Sequence, residues 1–140
     1  MAPPHGQPRH VVLRRAAERA AVLALWPEAA FLSVPGAGAF LGAPGWRALV
    51  GEAAWLRAVL DCGRAPGHAL AALRLGARGL VLDPAVPGFA ALAGLAGEAG
   101  CALLPARPPA LDLAGVRLDT PRGRAFLRQA LGLPDAPELG

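Results

Sequence analysis

RAVLDCGRAPGHALAALRLGARGLVLDP, residues 57–84, reads as strand, helix, strand. Val59-Leu60-Asp61 closes the first strand and Val81-Leu82-Asp83 closes the second. A Pro-Gly pair follows each aspartate, Pro66-Gly67 and then Pro87-Gly88. Proline suits the first helical position, Ala69, Leu70 and Leu73 recur at core spacing, and Gly76 ends the helix. Leu80 to Asp83 begins with successive apolar residues, as expected of a strand covered on both faces. The repeated β-α unit predicts an α/β domain with a mainly parallel sheet.

Working outward, His10 to Arg14 and Ala30 to Val34 read as the first two strands, with a helix over Ala16–Leu25 between them and Glu18 and Arg19 on its wet side. Trp46, Leu49, Val50 and Ala53 stripe a further helix, and Phe89, Leu92, Ala96 and Ala99 stripe another, closed by Gly100. Cys101 to Leu104 is a fifth strand. Pro105 to Asp119 reads as a loop or a short extra strand. Thr120-Pro121 starts a last helix, with Phe126, Leu127, Ala130 and Leu131 as its apolar face. The expected organisation is a Pro-rich arm at residues 1–8, a single α/β domain at 9–132 and a frayed tail at 133–140. The expected architecture is a five-stranded sheet with helices on both faces in the flavodoxin-like order 2-1-3-4-5. The alternative is a half-TIM-barrel-like (βα)n array that completes itself by pairing with another copy.

At 140 residues the chain suffices for one core, and its 54% hydrophobic content argues against a disordered body. All fourteen basic residues are arginine, and lysine, isoleucine, asparagine and tyrosine are missing. Alanine, glycine, proline and arginine have GC-rich codons, so the alphabet reads as high-GC genomic bias. The net charge of +4 therefore says little about nucleic acid, and the arginines are scattered apart from Arg117, Arg122, Arg124 and Arg128 near the last helix. Cys62 and Cys101 have no metal-ligand spacing and read as buried, reduced thiols of a cytoplasmic protein. No run has the form of a secretory signal or a membrane span.

In either architecture ligands bind at the carboxyl ends of the strands. That edge carries Arg14, Ser33, Gly36, Gly38, Asp61, Cys62 and Asp83, with His68 close by. Gly36–Gly38 is a candidate anion turn, although the spacing to Gly42 departs from the dinucleotide fingerprint. Asp61 and Asp83 end neighbouring strands. One reading is a hard-metal site suited to Mg²⁺; the other is structural, with each carboxylate accepting loop N–H groups or pairing with Arg64 or Arg14. Nucleophile constellations such as Cys62–His68–Asp83 or Ser33–His68–Asp61 lack a supporting sequence context.

From the first strand to Arg107-Pro108 the chain resembles a response-regulator receiver domain. Asp61 ends the third strand where that family has its phospho-accepting aspartate, and the Gly100 to Pro108 segment resembles the family's closing segment. Arg14-Arg15 replace the paired acids that hold Mg²⁺, Asp83 replaces a serine or threonine, and Arg107 replaces a lysine. The resemblance implies the fold and not phosphoryl acceptance. The function expected is a small non-catalytic binding or self-association module without a cofactor, with protein as partner and neither membrane nor nucleic acid. Exposed Trp26, Trp46 or Trp55 would support that reading. The alternative is a metal-assisted enzyme or anionic-ligand binder using Asp61 and Asp83.

Overall fold

The computed structural model describes residues 10–134, so the expected arm and most of the expected tail lie outside the described residues. Six strands are interspersed with helices: β1 His10–Val12, α1 Ala16–Leu25, β2 Ala30–Leu32, α2 Ala37–Phe40 and α3 Gly42–Val50. A 3₁₀ turn over Glu52–Arg57 leads into β3 Leu60–Asp61, α4 Pro66–Arg74, β4 Gly79–Val81 and α5 Phe89–Ala99. The chain closes with β5 Ala102–Leu104, β6 Ala110–Asp112 and α6 Pro121–Ala130. Pro66 and Pro121 open their helices as the sequence predicts, and the Thr120 hydroxyl accepts the Gly123 N–H at 3.0 Å.

The class is α/β, but the expected five-stranded sheet is replaced by two parallel sheets of three strands, β2-β1-β6 and β3-β4-β5. A single parallel bridge, Leu32 to Val59, joins them, flanked by Ser33 N–H to the Val59 carbonyl at 3.0 Å and Val59 N–H to the Phe31 carbonyl at 2.8 Å. The flavodoxin-like order required β3 beside β1. That edge of β1 is taken instead by β6, with His10 opposite Ala110 and Val12 opposite Asp112. The extra strand considered within 105–119 thus decides the topology.

Helices on both faces are also not what the chain builds. Along each strand, alternate residues enter two different cores. Val11, Leu13, Phe31, Leu60, Leu80 and Leu82 pack with the helices, together with Trp46, Val50, Leu92 and Leu127. Val12, Leu32, Val59 and Val81 form a second core with Val34, Leu104 and Ala110, to which no helix contributes. Five of the six strands are represented there, and Val59 stands immediately before the sixth, β3, so the two sheets curl toward each other. A strand apolar at every position is covered on both faces, as expected, but its second cover is another strand.

β5 and β6 run in the same direction with only residues 105–109 between them. Those residues must therefore lead back along the strands, a reach that five residues cover at about 3.3 Å each. Pro105, Pro108 and Pro109 lack an N–H, so this strap cannot join a ladder. It carries Arg107 over the curled sheets.

Candidate functional site

The strand ends hold a chain of committed charges. Arg14, just beyond β1, places both terminal nitrogens on the Asp112 carboxylate, Nη2 to Oδ2 at 2.9 Å. Asp112 also accepts the Ala114 N–H at 2.9 Å. These bonds, the Arg14 pair first, hold its carboxyl at about 2. Because the folded value lies below the unfolded one, the pair's contribution is complete above about pH 4 and fades as pH falls toward 2. The pair is solvent-exposed, so its net worth is at most about 1 kcal/mol. The expected result is a carboxyl carbon of Asp112 that titrates near 2 by NMR and returns toward 4 in Arg14→Gln. An unchanged midpoint in the variant would contradict the assignment.

Asp61 is the most enclosed acid among the described residues, its side chain 6% exposed. Its Oδ1 accepts the Gly63 N–H at 2.8 Å and its Oδ2 receives Arg107 Nη1 at 2.7 Å. Its own N–H donates to Ser33 Oγ at 2.8 Å, while that hydroxyl faces the Val34 carbonyl at 3.1 Å. Ser33 is thus a buried clamp between the two sheets, with its donor and an acceptor site both engaged.

Asp61 and Asp83 do not face each other. The β3–β4 register sets Asp61 opposite Val81, two residues short of Asp83. Asp83 accepts the Ala85 N–H at 2.9 Å and has Arg64 Nε at 3.8 Å. The two carboxylates turn to different partners, and among the described residues no group of three or more His, Cys, Asp or Glu is placed to hold a metal ion. Two separated carboxylates, each already paired, do not make an oxygen donor set that fits Mg²⁺.

The remaining predicted residues scatter. Gly36 caps the one-turn α2 with a left-handed φ of 70°. Gly38 lies against β3: a Cβ there would meet Cys62 Sγ at 2.8 Å and its Cα at 3.0 Å. Gly38 is therefore required by its close approach to β3, and Gly36 by its left-handed backbone. His68 is exposed on α4. Cys62 is buried, and burial, with the nearby Asp61 charge, pushes its thiol up to about 12. Cys101 is buried as well, and its thiol is likewise pushed up by burial. A thiol reagent at pH 8 should leave both unmodified in the native protein and label two per chain in denaturant. Fast native labelling would contradict this.

Three features escaped the sequence reading. Glu18, assigned to the wet side, is buried and accepts the N–H groups of Arg14 and Arg15 at 2.8 and 3.0 Å. An acid at the third helical position that reaches back to its own helix start was the available signal. Asp112 closes Ala110-Leu111-Asp112, a third copy of the strand-end pattern in residues 59–61 and 81–83. Phe40, the last residue of α2, and Leu41, between α2 and α3, were given no role, yet Phe40 is 71% exposed. They border a cavity of about 390 Å³ at the ends of β1 and β2, lined chiefly by Leu13, Val34, Phe40, Leu41 and Leu49 with Ser33 and Arg14 at its polar edge.

The three tryptophans, weighed as interface anchors, are all buried, and Trp55 lies under Arg47 with its guanidinium carbon 5.2 Å from the ring centroid. Buried in the core, they offer no ring to a partner. Among the described residues no helix is long and apolar enough to cross a membrane. Against known proteins, no family model, curated protein or solved structure matches this chain.

Proposed function

We propose that the protein is a non-catalytic α/β binding module whose strand-end cavity takes a small, largely apolar ligand. The observation that carries the reading is the contrast along one edge. Asp61, Asp83 and Asp112 are held by arginines and loop N–H groups, and Cys62 is a buried thiol. Beside them stands an apolar cavity with an exposed phenylalanine at its rim. Groups committed to structure are poorly placed for proton transfer or nucleophilic attack, whereas an apolar concavity with a few polar groups is what small-molecule binding uses. The two unpaired thiols suit a reducing compartment, and the proposal places the module in the cytoplasm.

The test is a titration with 1-anilinonaphthalene-8-sulfonate, an apolar fluorophore with one anionic group. Saturable 1:1 binding is expected. Phe40→Ala should weaken it roughly tenfold, since covering a phenylalanine is worth about 1.5 kcal/mol or more. The melting temperature should stay within about 2 °C, because Phe40 contributes little to the core. Equal affinity in both proteins would sink the assignment to this cavity.

A further inference from the structure

We propose that the outer face of α6 is a docking surface for an acidic, amphipathic peptide segment of a partner protein. The packing of this helix leaves the face open. Gly123, Leu127 and Leu131 are buried, and α6 packs against α1. Phe126, read from its spacing as a core residue, is instead 45% exposed. Arg122, Phe126 and Gln129 stand at i, i+4 and i+7, so they share one side of the helix, away from the core. With Ala125, Gly132 and Leu133 they line a shallow groove of about 630 Å³.

The charge of this region selects the partner. Residues 117–130 contain four arginines and one acid, Asp119, and Arg117 Nη2 already holds that acid at 2.8 Å. Arg124 is directed at the Leu118 carbonyl. Among the described residues neither Arg122 nor Arg128 has a carboxylate within ion-pair distance. Arg122 also sits in the first turn of α6, where the helix dipole adds positive potential. The groove thus offers an apolar floor from Ala125, Phe126 and Leu133, with the Arg122 guanidinium as the one cationic group on its lining. An acidic segment that brings a leucine or phenylalanine between its carboxylates complements both features. Single-stranded nucleic acid fits less well: one aromatic ring is a short stacking platform.

The experiment uses the full chain and three fluorescein-labelled probes in anisotropy titrations at about 50 mM salt. They are a twelve-residue helix-forming peptide with glutamates flanking two leucines on one face, the same peptide with glutamine for glutamate, and a twelve-nucleotide oligouridylate. Saturable binding of the acidic peptide is expected, at least tenfold tighter than either control. Phe126→Ala and Arg122→Gln, both exposed positions, should each weaken it fivefold or more without changing the circular dichroism spectrum. Amide shifts on addition of the unlabelled peptide should centre on residues 122–133. The proposal is overturned if the acidic peptide does not bind, if the glutamine peptide or oligouridylate binds as tightly, or if the shifts centre elsewhere. Concentration-dependent dimerisation that is lost in Phe126→Ala would assign the face to a second copy and would also overturn it.

Discussion

Gly123→Ala should destabilise the protein by about 3 kcal/mol, the upper end of what overpacking usually costs. The direction is opposite to the ordinary effect, since alanine in place of glycine inside a helix normally gains up to about 1 kcal/mol. The difference lies in what surrounds the glycine. A Cβ at Gly123 would overlap the carbonyl oxygen of Arg117, lie 2.5 Å from its carbonyl carbon and come within 3.2 Å of Thr120 Oγ1. Those are backbone atoms and the capping hydroxyl, so no flexible side chain can yield. The turn that brings the chain from β6 into α6 would have to open, and the Thr120 cap would open with it. Gly97 in α5 provides the control, because nothing lies within 4 Å of a Cβ built there. Gly97→Ala should therefore be neutral or stabilising. Urea denaturation of the two variants tests the contrast; equal midpoints would mean that α6 does not sit this closely on the Arg117 turn.

The second large effect concerns Arg107. Arg107→Ala should cost about 3 kcal/mol, because it strands an enclosed carboxylate whose remaining partner is a single N–H. The reverse change, Asp61→Asn, keeps an oxygen for the Gly63 N–H and leaves Arg107, which is partly exposed, free to hydrate. It should cost roughly half as much. The double variant should be more stable than the sum of the single effects requires, since once both charges are gone neither is left unpaired. An Arg107→Ala protein that melts within about 2 °C of wild type would show that the pair behaves as an ordinary surface ion pair. Loss of this contact also frees the strap 105–109, whose three prolines leave it few other anchors. Increased protease cleavage within that strap is the accompanying expectation.

These two sites also show where reading the chain succeeded and where it stopped. The Pro-Gly pairs placed α4, Thr120-Pro121 placed α6, and hydrophobic runs placed the strands, because caps and periodicity are local properties. The aspartates at 61 and 83 were recognisable as strand ends for the same reason. Their local partners, the loop N–H groups and Arg64, were also within reach of the sequence, but the partners from distant strands were not. Asp61 meets an arginine 46 residues away and Arg14 an aspartate 98 residues away, distances that only the register of the sheets brings together. Asp61 and Asp83 looked like a facing pair because both end a Val-Leu-Asp run; the β3–β4 register offsets them by two residues. A shift of that size leaves each side chain on its face of the sheet and changes which neighbour it meets.

Local sequence was enough to define the elements of this protein: an α/β chain of short parallel strands, each followed by a turn chemistry that starts a helix or reverses the path. Tertiary structure decided the rest. An unbroken apolar strand must be covered on both sides, but hydrophobicity has no direction and does not say whether a helix or another strand supplies the cover. Here β6 takes the free edge of β1, the sheets curl onto Val12, Leu32, Val59 and Val81, and the helices are left to cover the outer face. That closure sets which charges meet at the strand ends, and it leaves Phe40 and Phe126, two residues of the same apolar type as the core, facing solvent.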